Sequence, residues 1–252
     1  NGLLNVTDHW ALVGTVGRGF RWPNLVERYF EGSTPEGSGD QIANPTLQPE
    51  TSINVDAGFR YRRDRVAMEG FYFHNNISDA IRVTLVEEGD GSPGNRDVYQ
   101  NVNVDEFLYQ GAEVTLEVFI TPALSVRGNY TYLDSENKTN PELPVAEGSN
   151  NKLNAMLRWM DTQGRFWASY DYRHQDTQED AFISDNVLGE DLPGFDVHNL
   201  RGGFRFFAAG LENRLDVTLA NLTDELYAEG SNASFFRPEP GRHISLTVST
   251  AF

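Results

Sequence analysis

The sequence predicts an all-β protein, an antiparallel transmembrane β-barrel of which about ten strands are present. Apolar and polar residues alternate with a period of two along most of the 252 residues, and the period of a helix is almost absent. Barrel strands turn one side to lipid and the other to the lumen, so their hydropathy averages out as polar. The mean hydropathy of -0.48 therefore fits this class as well as it fits a soluble protein.

Each strand follows from its own alternation. In Arg214–Leu219, for example, Leu215, Val217 and Leu219 share one face. The clear strands lie at 52–61, 113–118, 124–132, 214–219 and 244–252. Weaker alternation adds strands near 7–19, 66–84, 152–160, 165–174 and 196–207, which gives ten in all. A tilted strand needs about ten residues to cross a bilayer, and these runs are long enough.

The connections between the strands are of two kinds that alternate without exception. Short turns lie at 62–65, 120–124, 161–164 and 208–213. Long loops lie at 21–48, 86–105, 134–150, 176–195 and 224–240. A soluble β-sandwich has no reason to place every long loop on one side, whereas an outer-membrane barrel has short periplasmic turns and long extracellular loops. We therefore expect a barrel in a bacterial outer membrane.

Aromatic residues cluster where the strands meet the connections. Those expected in the two aromatic girdles of a membrane barrel are Phe20, Trp22, Phe71–Phe73, Tyr130, Tyr132, Trp159, Phe166, Trp167, Tyr170 and Tyr172. Aromatic residues also fill the cores of sandwiches, so the alternation of the loops favours the barrel more than the aromatic positions do.

The charge is strongly negative, with 20 Lys and Arg against 37 Asp and Glu and a net charge of -17. This excess excludes a nucleic-acid-binding surface, which needs a basic footprint. Much of it lies in the predicted loops, at 86–90, 134–147 and 176–191. It indicates either solvation and mutual repulsion of the loops, which we favour, or attraction of a cationic or metal-bearing ligand.

Motifs of catalysis and cofactor binding are missing. The chain has no cysteine, no GxSxG, no P-loop and no dinucleotide fingerprint, and its five histidines lack the spacing of metal ligands. His174 with Asp176 and Asp180 resembles the Asp and His groups of ten-stranded outer-membrane proteases, but a solvated loop mouth explains them more simply. We expect no enzyme, no catalytic residue, no cofactor and no metal site.

Six segments resemble the TonB-dependent outer-membrane receptors, in the right order across nearly all of the chain. They are Phe20–Leu25 ("FRAP", with Trp22 where Ala is usual), Asn44–Glu50 ("NPxLxPE"), Phe71–Ile81 ("FyNdikDlI"), Asn101 with Gly111–Glu113 ("N…GxE"), Asn221–Tyr227 ("NlfDekY") and Arg237–Arg242 with Phe252 ("RPxPGR…F"). Each segment is a weak signal alone, but together they are strong.

The resemblance implies a 22-stranded barrel around an N-terminal plug domain. Residues 1–252 would be its C-terminal portion, with the plug domain and the first strands absent. It also implies energised uptake of a scarce solute, by default an iron chelate of the siderophore type. The partners would be outer-membrane lipid, the receptor's own plug and N-terminal strands, and the TonB complex through the missing N-terminal region. The inward polar residues facing the plug would be Arg127, Arg158, Asp171, Arg201, Arg205 and Asp216.

Candidate ligand contacts are loop aromatics and cations, namely Trp22, Tyr29, Phe30, Arg96, Phe235, Phe236 and Arg237. Phe252 resembles the C-terminal signal for outer-membrane assembly. Haem-uptake members of the family place a histidine between the first two segments, and the interval 24–43 has none. Two rivals stay open: a self-contained ten-stranded barrel, acting as a protease or small pore, and a soluble β-rich binding domain.

Overall fold

A computed structural model describes residues 1–34, 39–90, 92, 95–141, 145, 148–179, 191–208, 210–229, 231–232 and 235–251, with the backbone alone at 105, 231, 232, 235 and 236. The strands and the helix of this part are β1 Gly2–Asn5, β2 Trp10–Arg21, α1 Leu25–Tyr29, β3 Gly32–Ser33, β4 Gly39–Ile42, β5 Glu50–Arg63, β6 Val66–Glu87, β7 Asp97–Phe119, β8 Leu124–Asn137, β9 Asn151–Met160, β10 Phe166–Gln175, β11 Phe195–Ala208, β12 Leu211–Ala220, β13 Ser231–Asn232, β14 Phe235–Phe236 and β15 His243–Ala251.

The long strands form one antiparallel meander. Its order is β1-β2-β5-β6-β7-β8-β9-β10-β11-β12-β15, so each long strand pairs with the next one along the chain. All ten predicted strands are present, and β1 is an eleventh that pairs Gly2 with Gly14. Within the described residues β1 and β15 do not pair with each other, so the sheet is an open arc. This arrangement confirms the all-β class and differs from a closed ten-stranded barrel.

The register separates an apolar face from a polar one. One row crosses six strands and consists of Val126, Leu157, Tyr170, Leu200, Leu219 and Ile244. The next row, on the opposite face, consists of Ser125, Arg158, Ser169, Arg201, Thr218 and Ser245. Because successive side chains alternate across a strand, the first face points to lipid and the second to the lumen. The six predicted inward residues all share the second face.

The aromatic residues divide between the two faces. Tyr130, Tyr170 and Tyr172 lie on the lipid side, as expected of a girdle. Phe71, Phe73 and Trp167 were expected in the girdles, and the register instead places them on the lumen side. The indole of Trp167 donates to Asp216 Oδ1 at 3.1 Å there. Residue type predicts the depth of an aromatic residue in the membrane, but only the register decides its face.

Burial is concentrated at the extracellular end. The buried apolar residues of the described part are Leu47, Ala80, Phe107, Leu108, Leu192, Phe195, Val197 and Ala228. Leu47, Leu192 and Ala228 belong to described parts of the long connections, and their burial shows that these parts pack against the rest of the structure. No helix in the described ranges is long or apolar enough to cross a membrane.

Two long connections differ from the sequence prediction. The loop predicted at 86–105 is shorter, because β6 and β7 continue as a paired hairpin up to residues 87 and 97, with irregular pairing between Ile77 and Ile81. The loop predicted at 21–48 contains α1, β3 and β4, and β4 pairs in parallel with the start of β7. This loop therefore reaches past β5 and β6 to the next strand.

Candidate functional site

The loop of residues 22–49 begins with a short capped helix. Asn24 is its N-cap: its side-chain oxygen accepts the Glu27 N–H at 2.9 Å, and the Glu27 carboxylate accepts the Asn24 N–H at 2.7 Å. This reciprocal pair is a capping box, which satisfies two amides that a helix start leaves open. The side chains at the cap therefore stabilise α1 more than a helical spacing of apolar residues does.

Arg21 joins this helix to the sheet. Its guanidinium donates to Glu27 at 2.8 Å and to Glu50 at 2.5 Å. The other oxygen of Glu50 accepts the Ile81 backbone N–H at 2.7 Å, next to the irregular pairing in β6. Three of the six sequence segments thus meet at one carboxylate. Since Arg21 lies on the lumen face by alternation along β2, α1 lies on the lumen side as well.

Both charges of this link are stabilised. The hydrogen bond to Glu50, followed by that to Glu27, raises the pKa of Arg21 above its ordinary value. Burial pushes the pKa of Glu50 upward, but hydrogen bonds from Arg21 and the Ile81 amide outweigh it and the pKa is lowered. Glu50 is the more enclosed partner, with 17% of its side chain exposed against 46% for Arg21. The pair is therefore ionised at neutral pH.

The far end of the loop is held by amide side chains of β7. Asn103 Oδ1 accepts the Gln48 N–H at 2.8 Å, and its Nδ2 donates to the Gln48 carbonyl at 2.9 Å. Asn44 donates to the Asn101 carbonyl at 2.8 Å, while Asn101 donates to the Glu27 carbonyl at 3.0 Å. Both ends of the loop are thus tied to the barrel wall, by Arg21, Asn44 and Asn101 of the recognised segments and by Asn103.

Between these ties the loop presents apolar side chains to solvent. Trp22 is 65% exposed, Tyr29 53% and Phe30 37%. Leu25 and Val26 are also exposed, and no residue of α1 is buried. A contiguous exposed apolar patch of this kind marks a surface that contacts a ligand or another part of a protein.

Arg96 belongs to the same loop layer. Its guanidinium donates to Asp40 at 3.0 Å and to Ser33 at 3.2 Å, which ties the β6–β7 connection to β3 and β4. The structure therefore ties Arg96 to the loop that carries Trp22, Tyr29 and Phe30.

The remaining candidates belong to the last loop. Arg237 is exposed there, and the backbone of Phe235 and Phe236 forms β14, paired with β13. The side chains of Phe235 and Phe236, and Phe252 as a whole, lie outside the described residues. Asn221 ties this loop together, because its amide donates to the carbonyls of Glu225 at 2.8 Å and Pro240 at 3.3 Å.

The predicted neighbours His174 and Asp176 are in contact on the outside of the wall. His174 Nε2 lies 3.0 Å from Asp176 and Nδ1 lies 2.9 Å from Asp196, on the lipid-side face but above the Tyr170 and Tyr172 level. Asp180 lies outside the described residues. The hydrogen bond with Asp196 raises the pKa of His174 against an opposing effect of burial, and that with Asp176 adds to the rise. Sequence reasoning missed Asp196, because only the β10–β11 register places it there.

Within the described ranges, no group of three or more His, Asp or Glu residues is arranged to hold a metal ion. The arrangement is instead that of a wall with loops fastened across its extracellular end, which suits binding of a solute from outside.

Comparison with known proteins agrees with this architecture. Residues 2–222 match the family described as TonB dependent receptor-like, beta-barrel. The chain is 32% identical to the iron-regulated outer membrane virulence protein of Vibrio cholerae and 27% identical to the ferrienterobactin receptor of Escherichia coli, with 100% and 97% of the chain aligned. It spans only 38% and 36% of their lengths.

Solved structures share the fold. The chain superposes on the copper transporter OprC with a TM-score of 0.74 at 20% identity, covering 98% of this chain and 38% of that one. A mutant of the ferric enterobactin receptor from Pseudomonas aeruginosa gives 0.74 at 23% identity, covering 99% and 39%. The matching family model and the shared barrel architecture lead to one conclusion: the chain belongs to the TonB-dependent receptor family and forms part of its β-barrel in the bacterial outer membrane.

Proposed function

We propose that residues 1–252 are the C-terminal barrel portion of a receptor that captures an iron chelate of the siderophore type outside the cell. The plug domain and the first strands would lie upstream, and the TonB complex would act on that upstream region to energise uptake. Binding and transport, without bond-making chemistry, are the activity proposed.

One observation carries the proposal. The loop of residues 22–49 is fastened at both ends on the lumen side of the wall, yet it leaves Trp22 and Tyr29 more than half exposed and Phe30 partly exposed. Rigid aromatic side chains lose little conformational entropy on binding, so an apolar patch fixed in this way is suited to contact a ligand. Arg96 in the same layer, with Phe235, Phe236 and Arg237 in the last loop, completes the proposed contact set.

The relatives support iron chelates as the solute class. The Vibrio cholerae relative is named for iron regulation, and two others are named as ferric enterobactin receptors. One relative of 24% identity is named for haem and hemopexin utilisation. Residues 24–43 of this chain lack the histidine that the family resemblance associates with haem, which favours a siderophore.

Growth on a defined iron source tests the proposal. The full-length receptor is expressed in a Gram-negative strain that lacks its own catecholate receptors, with ferric enterobactin as the only iron supplied. We expect growth that requires a functional TonB complex. Absence of growth on ferric enterobactin and on a panel of other ferric chelates would contradict the proposal.

The contact set is tested by titration of the purified receptor. We expect the double variant Trp22→Ala, Tyr29→Ala to weaken chelate binding at least tenfold, because truncating buried aromatic anchors costs about 2 kcal/mol or more. Phe207→Ala is the matched control, since Phe207 is 78% exposed at the opposite end of the barrel. Equal affinities of all three proteins would remove these aromatics from the site.

A further inference from the structure

A second candidate site lies on the lumen face, on β9, β10 and β11 near their extracellular ends. A cavity of about 210 Å³ opens there, lined by Lys152, Asn154, Arg173, His174, Gln175, Phe195 and Glu229. Register places Lys152 opposite Gln175 and Asn154 opposite Arg173, so these side chains share the inward face. A cavity of roughly 150 Å³ already holds a benzene ring, so this one has room for a single substituted ring.

Arg173 is held rigidly at the base of this cavity. Its guanidinium lies 5.7 Å from the ring centre of Phe195 and 5.8 Å from that of Tyr227. It also pairs with Glu229 at 2.5 Å, and Phe195 is only 5% exposed. Arg173 is therefore fixed before any ligand arrives, which lowers the entropy cost of binding.

Lys152 places in this cavity a positive charge that has no carboxylate partner among the described residues. Three other cations at this end of the barrel have carboxylate partners: Arg21 pairs with Glu50, Arg96 with Asp40 and Lys138 with Glu136. Among the described residues no carboxylate lies within ion-pair distance of Lys152, and its side chain is exposed to the lumen.

This positive charge stands out against its surroundings. The five long loops, at 22–49, 88–96, 138–150, 176–194 and 221–242, hold 18 of the 37 acidic residues and five of the 20 basic ones. A negatively charged ligand is repelled by such a rim unless a local site compensates its charge. An inward-facing lysine next to an amide donor is a site of that kind.

We propose that Lys152, Asn154 and Arg173 form a subsite for one anionic aromatic arm of a ferric catecholate. The inference rests on the proposed function and names the class of chelate. The Lys152 ammonium and the Asn154 amide donate to the catecholate oxygens, which are acceptors only. The arm's ring packs against the Arg173 and Phe195 side, where the guanidinium already lies over an aromatic ring.

Binding of two chelates of opposite charge to the full-length receptor in detergent tests the subsite. The probes are ferric enterobactin, a trianionic catecholate, and a cationic ferric trishydroxamate, each followed by quenching of tryptophan fluorescence. The variants are Lys152→Gln and Lys152→Arg. Arg18→Gln is the control, because Arg18 lies on the outward face of β2 and its loss changes the net charge by the same amount.

We expect Lys152→Gln to bind ferric enterobactin about tenfold more weakly, as loss of a charge-assisted hydrogen bond predicts. Lys152→Arg should restore most of that affinity, and Arg18→Gln should match the unmodified receptor. Binding of ferric enterobactin by Lys152→Gln within twofold of the unmodified receptor would overturn the subsite and leave the proposed function intact. A receptor that binds only the hydroxamate also overturns the subsite alone, whereas one that binds neither chelate overturns both.

Discussion

Replacing Glu50 by alanine should loosen the near end of the loop of residues 22–49, where Arg21 joins α1 to the sheet. Glu50 is the one acceptor shared by Arg21 Nε and the Ile81 N–H, at 2.5 and 2.7 Å. Hydrogen bonds to a charged group contribute about 1.5–3 kcal/mol each. The Arg21 side chain is half exposed, so water replaces part of its bond, and we take about 1 kcal/mol for it and about 2 kcal/mol for the amide.

The sum of about 3 kcal/mol corresponds to roughly a 150-fold shift between the closed and the opened state of this near end. Hydrogen exchange of the full-length receptor, followed by mass spectrometry, measures this directly. We expect the described parts of the loop and the Ile81 amide to exchange about 100-fold faster in Glu50→Ala. The control is Arg18→Ala, which removes a charge three residues before Arg21 without touching the link.

The double variant Arg21→Ala, Glu50→Ala completes a mutant cycle, and we expect its effect to fall short of the sum of the single effects, because the two residues share one interaction. The lowered pKa of Glu50 means that its contribution is complete above the unfolded value of 4.5 and is lost as the pH falls through the folded value. Exchange in Glu50→Ala within threefold of the unmodified receptor would refute this account of the link.

Three further predictions concern the cap, the outer histidine and a glycine. Asn24→Ala should destabilise α1 by about 1 kcal/mol, visible as faster exchange over 25–30, and unchanged exchange would show that the cap is dispensable. Because the pKa of His174 is raised above 6.5, its ties to Asp176 and Asp196 are complete below that pH and weaken as the pH rises through the folded value. The protection factors at the start of the loop after β10, which are corrected for the intrinsic exchange rate at each pH, should therefore fall as the pH rises above 6.5, and His174→Gln should abolish the fall. Gly111→Ala should lower the thermal stability of the receptor, since a Cβ there would strike a neighbouring backbone carbonyl, whereas at Gly17 it meets nothing within 4 Å. Equal melting temperatures for Gly111→Ala and Gly17→Ala would contradict this.

The strands that cross the membrane were predictable because the alternation of apolar and polar residues is visible within each short segment. The alternation of Leu215, Val217 and Leu219 predicts a shared face from six residues alone. The structure places that strand at Leu211–Ala220. β1 escaped notice because Gly2–Asn5 is too short to show a period. α1 escaped for the same reason, since five residues held by a capping box carry no helical periodicity.

The site was less predictable, because its contacts join distant positions. Asn103 meets Gln48 across 55 positions, and Asn101 meets Glu27 across 74. No local pattern specifies such pairs. The cavity at Lys152 and Arg173 was likewise missed, although the alternation of β9 and β10 placed both on the inward face. That alternation was a usable signal, but the sequence did not reveal the fixing of Arg173 by Tyr227 and Glu229.

Because residues 22–49 are held at both ends, the part of this loop between the two ends can be replaced by the loop of another receptor. Four of its anchors, Arg21, Asn44, Glu50 and Asn101, lie in segments by which the family is recognised, whereas its exposed side chains lie between them. A sequence can therefore be assigned to the family from these anchors even when its members bind different ligands. A loop transplanted from another receptor should keep its far end docked only if it matches Gln100, Asn101 and Asn103 of β7, which hydrogen-bond to Ala43, Asn44 and Gln48.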